Sequence, residues 1–129
     1  MAAWLVTEDP DQFVRVDTIA HVNPLAVFPE GDPRQWETPP KSRFRAADHA
    51  QIIVSTVGGQ QFCALSCPGY AAWDAVTQLL YVLADLCGKH DLASGPVFVY
   101  GPRGSRARWS GDLWQVSKQL PKADYPPSW

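Results

Sequence analysis

The sequence predicts an α+β domain in which a small, mainly antiparallel sheet is packed by one long helix. Three stretches carry that prediction. Residues 50–65 (AQIIVSTVGGQQFCAL) hold two β-rich runs on either side of Gly58-Gly59. Glycine enters positive φ without steric penalty, so this dipeptide suits a two-residue primed turn and the stretch reads as a β-hairpin. Residues 68–87 follow with apolar side chains at helical spacing. Residues 96–100 (PVFVY) are a further short β-rich run.

The elements follow in chain order. Residues 13–22 (FVRVDTIAHV) alternate and read as a strand, ended by Asn23-Pro24 because proline cannot donate to a ladder. Residues 24–48 read as a long proline-rich loop, with five prolines between Pro24 and Pro40. Proline removes a donor and clashes with the preceding turn, which argues against a helix or central strand there. Loops of that length inside a compact domain are commonly functional, and Trp36 and Phe44 give this one something to dock with. In the long helix, Pro68 fits the first turn and Gly88 a left-handed cap just past the end. Trp73, Val76, Leu80, Leu83 and Cys87 form one apolar stripe, and Leu79, Val82 and Leu86 form a second beside it. One small sheet does not cover a helix face that wide, so the terminal arms or another chain must cover the remainder. Residues 101–105 read as a turn and 106–109 as a strand returning antiparallel. Ser110-Gly111-Asp112 reads as the cap of a short helix over 113–120. The N-terminal residues and 121–129 read as extended arms, the latter polyproline-like and ending on Trp129. The order strand, hairpin, helix resembles that of small regulatory and flagellar accessory domains, a likeness of patterning that brings no function with it.

Bulk properties bound the function. The 129 residues make one domain, 1–129. With 46% hydrophobic and 19% charged residues the chain has the means to fold. A net charge of −2 creates no global pull toward nucleic acid or anionic lipid. The longest apolar run, residues 79–84, is far short of the ~20 residues that span a bilayer. No basic leader precedes an apolar segment at the start, so a cytoplasmic protein with no membrane partner is expected. Arg outnumbers Lys seven to four beside a single Asn, a bias of GC-rich coding sequences such as those of actinobacteria and their phages.

No local motif names a reaction. There is no phosphate loop, nucleophile elbow, HExxH or EF-hand pattern. Cys63, Cys67, Cys87 and His90 are zinc-compatible in type, but a helix of some 19 residues at ~1.5 Å each separates its two ends by about 28 Å. Thiolate and imidazole ligands sit only ~2.0–2.3 Å from zinc, so the four cannot share an ion, and neither metal nor cofactor is expected. Cys67, just before Pro68, is placed where a helix N-terminus can activate a thiol. Asp48-His49 and Asp17 with His21 are acid–base types that read as turn or surface residues. Arg103, Arg106 and Arg108, with Trp109 behind them, form the one basic cluster, suited to phosphate or to an acidic partner. Six tryptophans are many for this length, and aromatic side chains anchor protein interfaces. The expectation is a non-enzymatic protein–protein interaction or assembly protein, self-associating or docking on a partner, of the kind found as a phage or actinobacterial accessory component. Its contacts are expected from Trp36, Trp109, Trp114, Tyr125 and Trp129. The alternatives are a nucleic-acid-binding regulator using the Arg103 to Arg108 turn, and a cysteine-dependent enzyme or redox protein centred on Cys67.

Overall fold

The N-terminal residues form a central strand rather than an arm. In the computed structural model, which describes residues 3–8, 12–88, 95–103 and 107–120, strand β1 (Ala3–Val6) lies between β2 (Phe13–Arg15) and β6 (Val97–Tyr100). It pairs antiparallel with β2 and parallel with β6, and β7 (Gln115–Ser117) completes a four-stranded sheet in the order β2-β1-β6-β7. Short strands buried in a sheet centre carry no polar–apolar alternation, which is why the Ala-Trp-Leu-Val run gave no strand signal. Leu5, Val14, Val97 and Val99 turn into the core. Trp4 is paired in register with both Arg15 and Phe98, and Phe98 meets Phe13 edge-on at 6.4 Å between ring centres.

The second sheet has three antiparallel strands in the order β3-β4-β5: β3 (Ile19–Val27), β4 (His49–Thr56) and β5 (Gln61–Cys67). The hairpin is as expected, but its turn is not a two-residue loop. Gly59 N–H donates to Thr56 at 2.9 Å, Thr56 N–H donates to Gln60 at 2.8 Å, and only Gly59 has positive φ, at 85°. This is the three-residue hairpin in which a left-handed glycine follows a tight turn. A register shift opposite Ile52 and Ile53 leaves Ala64 as an extra residue in β5, so that Ala64 and Leu65 are both fully buried.

The stretch expected as a single strand over 13–22 is interrupted by a 3-10 turn at Val16–Thr18, and its second half runs on through Asn23 and Pro24 to Val27. Pro24 does not end β3 because β3 is an edge strand, where the missing N–H can face away from β4. The 24–48 loop also resolves into structure: β3 takes its first residues, then α1 (Arg34–Glu37) and α2 (Pro40–Ala46) follow. Its prolines serve as helix starts, Pro33 and Pro39 at the caps and Pro40 in the first turn. Asp32 accepts the Arg34 backbone N–H at 2.9 Å and pairs with its guanidinium at 2.7 Å. Arg34 also donates to the Ala46 carbonyl at 2.8 Å, which closes the segment on itself.

After a 3-10 turn at Gly69–Ala71 comes α3 (Ala72–Gly88). Pro68 precedes that turn in an extended conformation, and Gly88 lies within α3 without positive φ, so neither plays the capping role expected of it. The residues that α3 buries are Ala72, Ala75, Val76, Leu79, Leu83 and Leu86, packed on β3 and β4. The expected short helix over 113–120 is instead a turn followed by β7. Val116 pairs with Val99, while Leu113 and Trp114 are buried beside α3. The antiparallel partner of β6 is therefore β7 and not residues 106–109. Gln78 ties this segment to α3, donating to Gly111 O at 2.8 Å and accepting from Leu113 N–H at 2.7 Å. The expected arm at 121–129 lies outside the described residues.

Two substitutions test this packing. A Cβ on Gly69 would collide with the carbonyl oxygens of Ala47 and Phe44 at the end of α2. Gly69→Ala is expected to lower stability by about 2–3 kcal/mol in urea denaturation with an unchanged m-value. Leu65→Ala empties a fully buried site and is expected to cost about 2–5 kcal/mol in the same measurement.

Candidate interaction surface

Helix α3 is apolar around more of its circumference than the sheets cover. Beside its buried face runs a second line of residues, Trp73, Leu80, Ala84 and Cys87, all exposed. Trp73 is 44% and Leu80 50% exposed, and Tyr81 next to them reaches 75%. Trp73 is steadied by Phe44 of α2, edge-on at 5.4 Å. The stripe expected from the sequence is thus split lengthwise: Val76 and Leu83 face the core, whereas Trp73, Leu80 and Cys87 face out.

Between this line and the start of β3 lies an open apolar groove of about 240 Å³. Val16, Ile19 and Val22 form one wall and Leu80, Leu83 and Ala84 the other, with Ala20, His21 and Cys87 completing it. Four consecutive residues of β3, 19 to 22, line the groove. The irregularity between Ile19 and His21 breaks the strict alternation of side chains here, so the groove lies along an irregular stretch of the strand at one edge of the sheet. That edge is open: among the described residues β3 pairs with β4 alone. Neither the nine residues of β3 nor the groove lining contains an Asp, Glu, Lys or Arg. This surface was missed in the sequence because the signal was spread over two segments. The visible half of it is residues 18–29, twelve in a row without a charge.

The residues expected to make contacts have different fates. Trp36 sits on α1, 74% exposed. Trp109 is half-buried and packs against the core. Trp114 is buried, and its indole N–H donates to Ala75 O at 2.8 Å, so it holds the domain together from within. Tyr125 and Trp129 lie outside the described residues, as do Arg106 and His90. Arg108 is exposed. Arg103 is half-buried and folds back onto β1, its guanidinium donating to Thr7 O at 2.6 Å and Val6 O at 3.1 Å. Of the basic cluster, Arg103 is thereby committed to the protein's own backbone.

The cysteines are free thiols. Cys67 ends β5 and does not cap α3; it is buried, and burial first, then Cys63 and Glu8 nearby, pushes its thiol up to about 11. Burial raises Cys63 as well, although Ser66 and the Leu65 carbonyl hydrogen-bond to it. Glu8 is held beside them, accepting Ser66 N–H at 2.7 Å and donating its own N–H to Cys63 O at 2.9 Å. A thiolate nucleophile needs the opposite shift. Among the described residues, no three His, Cys, Asp or Glu are grouped to hold a metal ion. His49 and His21 are exposed, Asp48 contacts Arg34 at 3.8 Å, and Asp17 is paired with Arg15 at 2.8 Å. No helix among the described residues is long and apolar enough to cross a membrane. No family model, curated protein or solved structure matches the chain.

Two measurements follow from the thiols. Iodoacetamide at neutral pH is expected to label exposed Cys87 well before Cys67, as read by peptide mass spectrometry; equal rates would contradict the buried, protonated state of Cys67. The folded state holds the Cys67 proton above the ordinary thiol value of 9.0, so the unfolded chain releases it first as pH rises. Stability is expected to fall between about pH 9 and 11, by on the order of 2 kcal/mol more in the wild type than in Cys67→Ala.

Proposed function

We propose that this chain is a non-enzymatic protein-interaction domain that works in an assembly. The observation that carries the reading is the uncovered apolar line of α3 beside the open edge of β3. Burying exposed Leu, Trp and Tyr side chains against a protein partner is favourable at roughly 25 cal/mol per Å², and aromatic anchors dominate such contacts. The surface has the uncharged centre expected of an interface core, with Asp74 and Asp85 exposed elsewhere on the helix. Trp36 is a further exposed aromatic side chain, on α1. Free, unpaired cysteines accord with a cytoplasmic setting.

The two competing readings draw less support. Catalysis at Cys67 would require a thiolate at neutral pH, and that thiol is buried and held protonated. A nucleic-acid site on the 103–108 turn would require free guanidinium groups, and Arg103 is spent on the carbonyls of Val6 and Thr7.

Sedimentation and native mass spectrometry at micromolar concentration test the proposal. The expected outcome is protein association that persists in high salt, since apolar contacts are not screened. A strictly monomeric chain that instead binds a single-stranded oligonucleotide, with affinity falling steeply as salt rises, would replace this reading by the nucleic-acid one.

A further inference from the structure

We propose that residues 121–129 fold back across the outer face of the β2-β1-β6-β7 sheet and are held there by packing of their prolines on its aromatic side chains. This surface is separate from α3 and its groove. Side chains alternate between the two faces of a sheet. The core takes Ala3, Leu5, Val14, Val97 and Val99 from one face. The other face carries Trp4 and Phe98, paired in register, with Phe13 and Tyr100 one step along β2 and β6 from that row. Phe13 meets Phe98 edge-on and is 40% exposed, while Trp4, Phe98 and Tyr100 are half-buried. Val6, paired with Phe13 on this face, is buried yet stands apart from the main core cluster. The helices pack elsewhere, α3 on β3 and β4, and α2 on β3 and the turn before α3.

An aromatic platform of this kind suits proline. Proline-rich segments hold an extended, left-handed conformation without internal hydrogen bonds, so little freedom is lost when they dock, and aromatic-lined surfaces are their usual receptors. A face that merely lacked charge would accept any apolar partner, whereas adjoining Trp, Phe and Tyr rings favour this one. Residues 121–129 (PKADYPPSW) hold three prolines, a tyrosine and a tryptophan in nine positions. They lie outside the described residues, but the fold fixes the point from which they depart.

That point is the edge of the aromatic face. Ser117 pairs with Phe98, Phe98 with Trp4, and Trp4 with Arg15, one row across all four strands. At ~4.8 Å per strand the row is about 14 Å long. The chain is described as far as Leu120, three residues past the row. Nine residues in polyproline conformation extend about 28 Å at ~3.1 Å each, enough to turn back and cross the row. Pro126 and Pro127 then lie over Phe98 and Trp4, with Trp129 toward Phe13. The tether holds the segment beside the face at a high effective concentration, an advantage that a separate partner of the same composition lacks. Docked in this way, residues 121–129 leave the exposed line of α3 to a protein partner.

The test combines NOE spectroscopy of the isotope-labelled full chain with native-state trypsin cleavage after Lys122. In the wild type, ring protons of Pro126 and Pro127 are expected to show contacts to the Trp4 and Phe98 rings and to be displaced upfield by them. Cleavage after Lys122 is expected to be slow in the wild type. It is expected to be about tenfold faster in Trp129→Ala, in the double variant Pro126→Ala with Pro127→Ala, and in Phe13→Ala on the face. Leu80→Glu, on α3, is expected to leave it unchanged. The wild-type contacts report even if Phe13→Ala fails to fold. Equal cleavage rates in wild type and segment variants, without contacts from the prolines to the face, would overturn the proposal. Proline contacts to Trp73 or Leu80 instead would overturn it by placing the segment on α3. Contacts seen only between labelled and unlabelled molecules in a mixed sample would overturn folding back within one chain.

Discussion

The structure depends on how one helix is buried. Over the seventeen residues of α3, apolar side chains occupy more than half the circumference, and a three-stranded sheet covers only one side of such a cylinder. The chain solves part of the problem with its own C-terminal third. Residues 111–114 pass across the helix beside Ala75 and Gln78, where three hydrogen bonds fix them. The remaining side, from Trp73 to Cys87, is exposed next to β3 among the described residues. Each remaining element is placed by its relation to α3: sheet β3-β4-β5 beneath, α2 against the entering turn, and the four-stranded sheet joined through the shared core.

Polar groups near the core act as ties rather than as chemistry. Arg103, Glu8 and Trp114 each spend charge or hydrogen-bonding capacity on backbone groups that would otherwise be stranded. Buried backbone carbonyls and N–H groups need partners, and supplying one with a charged side chain makes a strong, directional bond. The cost is that these side chains are no longer available to a ligand. The two residues that looked most like parts of a site, Arg103 and Cys67, are absorbed into the architecture in this way.

The legible parts of the sequence were those with local causes. The hairpin at 50–65 and the helix after Pro68 follow from alternation, glycine placement and helical spacing within a single stretch, and both are present. What depended on distant partners was not legible. Ala3–Val6 is a strand because Val97–Tyr100 lies beside it, and Gln115–Ser117 extends rather than coils because Phe98 and Val99 offer it an edge. The apolar residues at 113, 116 and 120 mimic helical spacing, and tertiary pairing outweighs that weak preference. Proline misled in a different manner: its meaning depends on position, forbidding at a strand's centre and permissible at its edge or at a helix start. The candidate surface was half legible, since the excess of apolar residues on the helix showed plainly while the strand that borders it did not.

The tie between β1 and β6 has a consequence for how the molecule comes into being. The second sheet and α3 occupy a continuous span from Ile19 to Gly88, so their contacts close over short stretches of chain as it leaves the ribosome. β1 lies before this span and pairs on one side with nearby β2, yet its other edge is filled only when residues more than ninety positions later have been made. Such a long loop closure is entropically slow. Until then the apolar Ala-Trp-Leu-Val run has β2 on one side and an unfilled edge on the other, so the four-stranded sheet is completed only after the span between its halves.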